Sequence, residues 1–341
     1  MSASVAARQQ PVRRPWLPRA DTRLAILYLL PAFLVMGVIT FYPLAFQTYI
    51  SFTDFTLKNL RPTNPAPWVG LENYQRIIES SLGIPNFFFV RMVIYNLWWA
   101  AANVAIHVVI GVAIALLLNA KGLWFKKFWR ALYILPVVIP PIIVATVWRN
   151  MFDQSYGAVN QLLAAVGTFL FRIPPETFQI DWLRSTDDVF PILPADVNYF
   201  IPLAFFALLT ANTWLGWPLN AVVATGALQS IPGELYEAAE IDGAGNWAKF
   251  RNVTLVFLRP AMVPYAIYGF VITFNLFHLA WFMSNGGPFG RTQQLVTQAF
   301  GLVQVNLYGI AAAFSVIMFV ILLVVTLITN RLARATASFD R

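Results

Sequence analysis

Four carboxylates, Glu234, Glu237, Glu240 and Asp242, fall within nine residues and form the only acidic cluster in the chain. A buried enzyme centre would need His, Asp or Glu gathered at one place, and nothing else in the sequence gathers them. His107 and His278 are the only histidines. Each stands in a different apolar run, with no carboxylate or second histidine at metal-ligand spacing, so both read as polar residues facing the interior of a bundle. There is no G-x-x-x-x-G-K-[ST] phosphate loop and no strand-turn-helix G-x-G-x-x-G, so ATP and dinucleotides lack their familiar cradles. The absence of cysteine removes disulfides, thiol catalysis and thiolate metal sites.

The elements that must position these residues follow from composition. Of 341 residues 59% are hydrophobic and 11% charged, against roughly 25% charged in an ordinary soluble domain. So few charges cannot cover a globular surface in water, and the main solvent is lipid. Six stretches read as transmembrane helices: Leu24 to Thr48, Ile94 to Leu118, Ala131 to Trp148, Phe200 to Leu228, Ala261 to Met283 and Leu307 to Thr329. The shortest has 18 residues, roughly 27 Å of helix against the ~30 Å hydrocarbon core. Prolines 31, 43, 140, 141, 202, 218 and 264 fall in or beside them, which membrane bundles tolerate when neighbours satisfy the freed carbonyls. The first apolar run exceeds the 7 to 15 residues of a signal peptide and no A-x-A site follows, so it is read as a retained span. Tryptophans 98, 99, 124, 129, 148 and 281 lie near expected span ends, where such rings anchor; some belong to the bundle core instead.

Of the 23 Lys and Arg residues, 15 fall on the side of the two termini and 8 on the other. Positive-inside bias therefore puts both termini in the cytoplasm. The net charge of +8 comes from clusters flanking spans rather than from a basic stripe with interleaved aromatics, so no nucleic-acid partner is expected. The expected organisation is a basic tail (1–23), a membrane domain (24–330) with an outer loop (149–199) and a cytoplasmic loop (230–260), and a short tail (331–341). No span carries Asp or Glu near its centre, so ion coupling through a membrane carboxylate lacks its residue. The outer loop holds six acidic and three basic residues and is long enough to fold against the outer face. It reads either as a solvated cap or as a contact for an external binding protein.

The cytoplasmic loop, SIPGELYEAAEIDGAGNWAKFRNVTLVFLRP, changes the polarity pattern. Ser230 is placed to cap a short helix with Pro232 early and Glu234 and Glu237 in its first turns. Gly243 and Gly245 break it, and a second amphipathic stretch follows with Trp247, Phe250, Val253 or Thr254, and Phe257 on one face. An interfacial helix resting on lipid is one reading. Four acidic residues would be repelled by an anionic leaflet, whereas a protein groove accepts an acidic helix with small Ala238 and Ala239 at its contact face.

The segment EAAEIDGAG, Glu237 to Gly245, resembles the EAA loop of the permease subunits of binding-protein-dependent ABC importers, specifically the carbohydrate group. Glu237, Ala238, Ala239 and Gly243 take the matching positions and Asp242 lies between them. The family's Leu-Pro pair about a dozen residues after the glycine is Leu255 and Val256 here. The stretches Leu29 to Phe55, Trp68 to Ile78 and Ala131 to Asn160 resemble other family segments, and NTWLGWP (Asn212 to Pro218) and MSNGGP (Met283 to Pro288) are similar to the maltose-transporter branch. The resemblance implies an all-α polytopic fold with six transmembrane helices, a cytoplasmic coupling-helix loop and cytoplasmic termini, in a bacterial or archaeal cytoplasmic (inner) membrane. It implies a second homologous permease, two cytoplasmic ATPase subunits and an extracytoplasmic sugar-binding protein as partners, besides membrane lipid. ATP and magnesium would belong to the ATPase, and this chain would bind no cofactor.

The resemblance also suggests where a sugar passes. In the maltose branch the motif's asparagine, leucine and glycine hold sugar; here these are Asn212, Leu215 and Gly216. The tyrosine after the motif proline is Leu219. An Asn-rich run of the fifth span is matched in part by Thr273 and Asn275, with His278 close by. Asn and Thr in membrane helices also serve as interhelical glue. A sugar path needs hydrogen-bonding groups and flat apolar surfaces in a bundle that otherwise excludes water. The implied mechanism is alternating access, with ATPase closure moving the loop around Glu237 to Gly245 and rocking the fourth and fifth spans. The connection Asp54 to Val93 is too short for the large outer domain of some maltose permeases. A permease for another solute, such as glycerol phosphate, is the nearest alternative. An ion-coupled secondary transporter would show membrane charge and an inverted repeat, and neither is seen.

Overall fold

The computed structural model describes residues 20–61, 63–120, 122–186 and 201–336. The expected basic tail up to 19, Lys121, the outer-loop acids Asp187, Asp188 and Asp196, the start of the fourth span at Phe200, and the tail from 337 lie outside the described residues. Helices α1 (Ala20–Met36) and α2 (Tyr42–Ile50) belong to one compact unit and residues from Ser51 onward to a second. In the first unit a wide turn at Gly37–Phe41 joins the two helices, with the Tyr42 N–H reaching Gly37 O. The turn falls beside Pro43, which has no N–H to donate.

The second unit is helical apart from an isolated bridge between Thr53 and Trp68. Its elements are α3 (Glu72–Ile78), α4 (Phe89–Asn119), α5 (Lys126–Val138), α6 (Pro141–Met151), α7 (Ala158–Phe171), α8 (Leu203–Gln229), α9 (Gly233–Ile241), α10 (Asn246–Lys249), α11 (Leu255–Phe274), α12 (Phe277–Leu279), α13 (Leu295–Gln304) and α14 (Tyr308–Thr336). Among the described residues four helical runs are long and apolar enough to cross a membrane: Arg23–Ile50, Phe89–Asn119, Asn246–Ser284 and Tyr308–Arg331. A fifth results if the bent pair α5 and α6 counts once. Helix α8 has 27 residues, about 40 Å, but Asn212, Thr213, Trp214, Gly216 and Asn220 lower its hydropathy below that of the other four.

The expected third span, Ala131 to Trp148, is not one helix. Its halves meet at 94°, and with 13 and 11 residues neither alone covers the ~30 Å hydrocarbon core. Pro140 and Pro141 are the cause. Ile139 and Pro140 each precede a proline and are held extended (ψ 129° and 132°), after which Pro141 opens a new helix at its first position. The expected fifth span, Ala261 to Met283, begins earlier, since a helical run starts at Asn246 and passes through a wide turn at Phe250–Thr254 into α11. With Leu255 and Val256 where a proline would stand, the run goes straight on. It then breaks at Asn275 and Leu276 before α12 and another wide turn at Ala280–Ser284.

Helices α4 and α8 share the most extensive contact in the molecule. Small residues make it close: Ala115, Ala207, Ala211, Ala221 and Ala224 are buried, and a Cβ on Gly111 would stand 2.5 Å from Asn220 Cβ and 2.9 Å from Ala221 N. Backbone lies against backbone there, as in membrane helix pairs that associate through small residues. Trp99, Phe205, Leu208 and Leu279 fill the core beside this contact, and Phe87, Phe274, Leu295 and Phe314 fill another. Trp99 is thus a core residue, whereas Trp124 is exposed. Gly111→Val should therefore separate α4 from α8 and cost about 1–3 kcal/mol, which thermal unfolding of the detergent-solubilised protein will read as a lowered midpoint; an unchanged midpoint contradicts the close contact.

Candidate functional site

Asn96, Trp99, Asn103 and His107 recur at three- and four-residue intervals on α4, so they form one stripe. All four are buried. The Asn96 amide donates to Phe274 O (2.9 Å) and accepts from Leu295 N–H (2.9 Å), tying α4 to the end of α11 and the start of α13. Trp99 Nε1 donates to Thr273 O (3.2 Å). The Gln294 amide, in the orientation that satisfies both neighbours, donates to Leu276 O (2.7 Å) and accepts from Trp99 Nε1 (3.1 Å). The carbonyl exposed by the helix break at 275–276 is thereby satisfied.

The rest of the stripe reaches α8. Asn103 Nδ2 donates to Trp99 O (2.7 Å), Asn212 Nδ2 donates to Asn103 Oδ1 (2.7 Å), and His107 Nε2 bonds Asn212 O (3.0 Å). A backbone carbonyl only accepts, so both ends of the chain fix the direction of every bond between them. Asn212 is left with its amide oxygen, and His107 with a protonated Nε2.

Beside this seam lies a cavity of about 260 Å³. Asn212, Leu215, Gly216 and Thr273 line it together with His107 and His278. Four of the five residues expected to meet substrate are thus brought together. Asn275 is not among the lining residues; it is exposed, caps α11 and bonds back to Val271 O (3.0 Å). Leu219 lines the cavity where the family resemblance leads one to look for a tyrosine, and Tyr265 and Tyr268 supply aromatic hydroxyls from α11 instead. No Lys, Arg, Asp or Glu lines it.

Pro136 and Val137 form another wall of the cavity. Their helical donors would be the N–H groups of residues 140 and 141, both prolines, so the two carbonyls have none. Leu276, at the second helix break, lines the cavity too. Irregular backbone at membrane depth is tolerated where it lines a cavity or is buried in protein, and both breaks meet that condition here. The α4 stripe and the prolyl carbonyls escape a search for charged or metal-ligating groups. The sequence signal for the stripe is the seven-residue spacing of Asn96 and Asn103, with His107 four further on.

A second cavity, about 370 Å³ and polar, is lined by Arg149, Asp153, Asp181, Arg184 and Asn285 among others. The backbone N–H of Ser155 (2.9 Å), and then that of Tyr156 (3.2 Å), bond the Asp153 carboxylate and hold it below the usual carboxylate range. It is therefore ionised at neutral pH. Any stabilisation it gives is present above its unfolded pKa and lost as pH falls through the lower folded value.

The acidic segment forms α9. Ser230 does not cap it: Ser230 ends α8 and bonds Ala227 O (2.8 Å), and the residue before α9 is Pro232. Gly243 (φ 76°) closes α9, with Gly243 N–H on Glu240 O (3.0 Å) and Ala244 N–H on Ala239 O (2.8 Å). This is the paired-bond helix stop that favours glycine. Lys249 pairs with Glu240 (2.6 Å) and Tyr236 OH bonds Thr254 Oγ1 (2.9 Å), so α9 is held against the run that leads into α11. Glu237, Ala238, Asp242 and Gly243 are exposed and Ala239 half-buried. Beyond them Ile241 is 87% and Trp247 72% exposed, which makes an apolar surface rimmed by acids. The expected common apolar face of Trp247, Phe250, Val253 or Thr254, and Phe257 forms only in part: the Trp247 and Phe250 rings pack together (5.5 Å), but Trp247 is exposed whereas Thr254, in the wide turn at 250–254, is buried.

Residues 107–338 match the family model described as binding-protein-dependent transport system inner membrane component. The chain is 30% identical over 304 residues to the galactooligosaccharides transport system permease protein of Bacillus subtilis, covering 87% of this chain and 67% of that one. It is 29% identical over 315 residues to the trehalose/maltose transport system permease protein of Thermococcus litoralis, covering 92% and 95%. A bacterial ABC transporter involved in the import of the acidic polysaccharide alginate has the same fold, with a TM-score of 0.71 at 18% identity over 93% of this chain and 97% of that one. The uncharged cavity between broken helices and the exposed acidic helix thus sit on a chain that belongs to the binding-protein-dependent transport system inner membrane components.

Proposed function

We propose that the chain is the permease subunit of an ATP-driven ABC importer for a neutral sugar of the maltose, maltodextrin or related oligosaccharide class. The observation that carries this reading is the cavity between α4, α8, α11 and the broken α5–α6 pair. Asn212, two tyrosines and the residues Pro136 and Val137, whose carbonyls lack helical donors, line it, and no charged residue is among them. A ligand rich in hydroxyl donors suits such a wall. A phosphate ester such as glycerol phosphate finds no cation there, and ion coupling finds no carboxylate. The permease relatives, named for galactooligosaccharides and for trehalose and maltose, agree with this choice.

In this reading residues 24–330 form the membrane domain and cross six times, through α1–α2, α4, the bent pair, α8, the α11–α12 run and α14. The sorting of 15 against 8 basic residues supports cytoplasmic termini in a bacterial or archaeal inner membrane. A second homologous permease completes the pathway, a sugar-binding protein delivers from outside, and two ATPase subunits bind ATP and magnesium. The coupling surface is Glu237, Ala238, Ala239, Asp242 and Gly243, with Ile241 as an apolar knob for a groove in the ATPase. Because α9 is pinned to the α11 run through Tyr236 and Lys249, a push on α9 turns α11, and the cavity's exposure alternates.

Co-purification and uptake test the two halves separately. Tagged permease should bring down an ATPase; Glu237→Lys should weaken that association and reduce uptake at least tenfold while the permease still folds. Gly243→Val, which forces a side chain into the left-handed region at about 1–2 kcal/mol, should uncouple ATP hydrolysis from sugar delivery. If both variants retain normal association and sugar-stimulated hydrolysis, α9 is not the coupling element. Radiolabelled uptake in cells should be competed by unlabelled maltose, trehalose or galactobiose and not by glycerol 3-phosphate; the reverse pattern contradicts the reading of the cavity.

A further inference from the structure

His107 is the one residue of the α4 stripe that both closes the hydrogen-bond chain and lines the cavity. Its ring lies on the backbone of Gly216, where any Cβ would collide with Cε1, Nδ1 and Nε2 of the imidazole. This gives the glycine of NTWLGWP a physical reason: it leaves the space that the His107 ring occupies. The bond from Nε2 to Asn212 O fixes the tautomer, since a carbonyl accepts only and Nε2 must carry the proton. In the neutral ring Nδ1 is then an acceptor, and among the described residues no donor bonds it. Asn212 is bonded to the same ring through its carbonyl and to Asn103 through its amide N–H, and both Asn212 and His107 line the cavity.

We infer that His107 is a substrate-contacting, specificity-determining residue whose Nδ1 accepts a hydrogen bond from one sugar hydroxyl. The inference rests on the reading of this cavity as the sugar site. It assigns His107 more than interhelical glue. A glue residue would affect all sugars alike, whereas an acceptor for one hydroxyl discriminates among analogues that lack single hydroxyls.

The test uses the complete importer, with its permease pair, ATPases and binding protein, reconstituted in liposomes. The probes are whichever of maltose, trehalose or galactobiose is carried fastest, and its monodeoxy analogues. His107→Phe keeps a flat ring over Gly216 without polar atoms, and His107→Gln restores both a donor and an acceptor. The expected result is a KM for the parent sugar raised about tenfold by His107→Phe, the loss of one hydrogen bond to a neutral ligand. One monodeoxy analogue, already about tenfold poorer with the wild type, should show no further loss, and His107→Gln should recover most of the parent's KM. An equal rise for the parent and every analogue, or a change in maximal rate alone, overturns the assignment. Failure of both His107→Phe and His107→Leu to assemble with the partners also overturns it, in favour of a purely structural role. Asn212→Ala separates the two levels. If it raises KM and His107→Phe does not, only the role of His107 falls; if neither does, or if none of the three sugars is carried, the reading of the cavity falls with it.

Discussion

The approach of α4 to α8 over Gly111 and Gly216 is the constraint on which the site depends. With no side chain at either position, Asn220 and Ala221 come within contact distance of the α4 backbone, and the His107 ring settles on the α8 backbone. Only at that separation do the Asn103 and Asn212 amides reach each other at 2.7 Å. In water such a contact would be one of many that a hydrophobic core could replace. In lipid, where apolar surface gives helices little reason to associate, packing and interhelical hydrogen bonds carry more of the association. The same atoms thus set helix separation, orient the polar seam and shape one wall of the cavity.

The second constraint is that every backbone group at membrane depth must find a partner. Most of the chain meets it with continuous helix. The exceptions are Pro140–Pro141 and Asn275–Leu276, and they are placed at the same cavity. At the second break Gln294 supplies a donor for Leu276 O. At the first the Pro136 and Val137 carbonyls lose their helical donors, and both residues line the cavity. A pathway for a hydroxyl-rich solute needs acceptors without fixed charge, and unwound backbone supplies them without a carboxylate or an ammonium.

Much of this was legible in the sequence, for identifiable reasons. The apolar runs of α1–α2, α4 and α14 are long and uninterrupted, so length alone locates them to within a few residues. The acidic helix announces itself because Glu234 to Asp242 is the one stretch of the sequence where four carboxylates fall within nine residues. Hydropathy cannot see direction, however, so Ala131 to Trp148 reads as one span although Pro140 and Pro141 turn the chain through 94°. A wide turn at 250–254 inserts a residue that no periodicity count anticipates, and Thr254 in it is buried whereas Trp247 is exposed. Ser230 has the right chemistry for an N-cap but lies within α8's final turn, where its hydroxyl finds Ala227 O first. The polar seam was present as spacing on α4, yet amides bonded to amides and carbonyls do not resemble the charged pairs or metal sets by which buried chemistry is usually recognised.

The cavity and α9 differ in how they are held. Around the cavity, bonds run from side chain to backbone between helices distant in sequence: Asn96 to Phe274 O, Trp99 to Thr273 O and His107 to Asn212 O. Such bonds survive only if α4, α8 and α11 keep their register, so the polar groups stay pre-organised for a ligand. At α9 the ties are few, local and partly exposed, namely Lys249 to Glu240 and Tyr236 to Thr254. Surface pairs of this kind are worth little individually. The two ties nevertheless both run from α9 to the helical segment 246–254, so α9 is joined to the run that leads into α11 and not to α4 or α8.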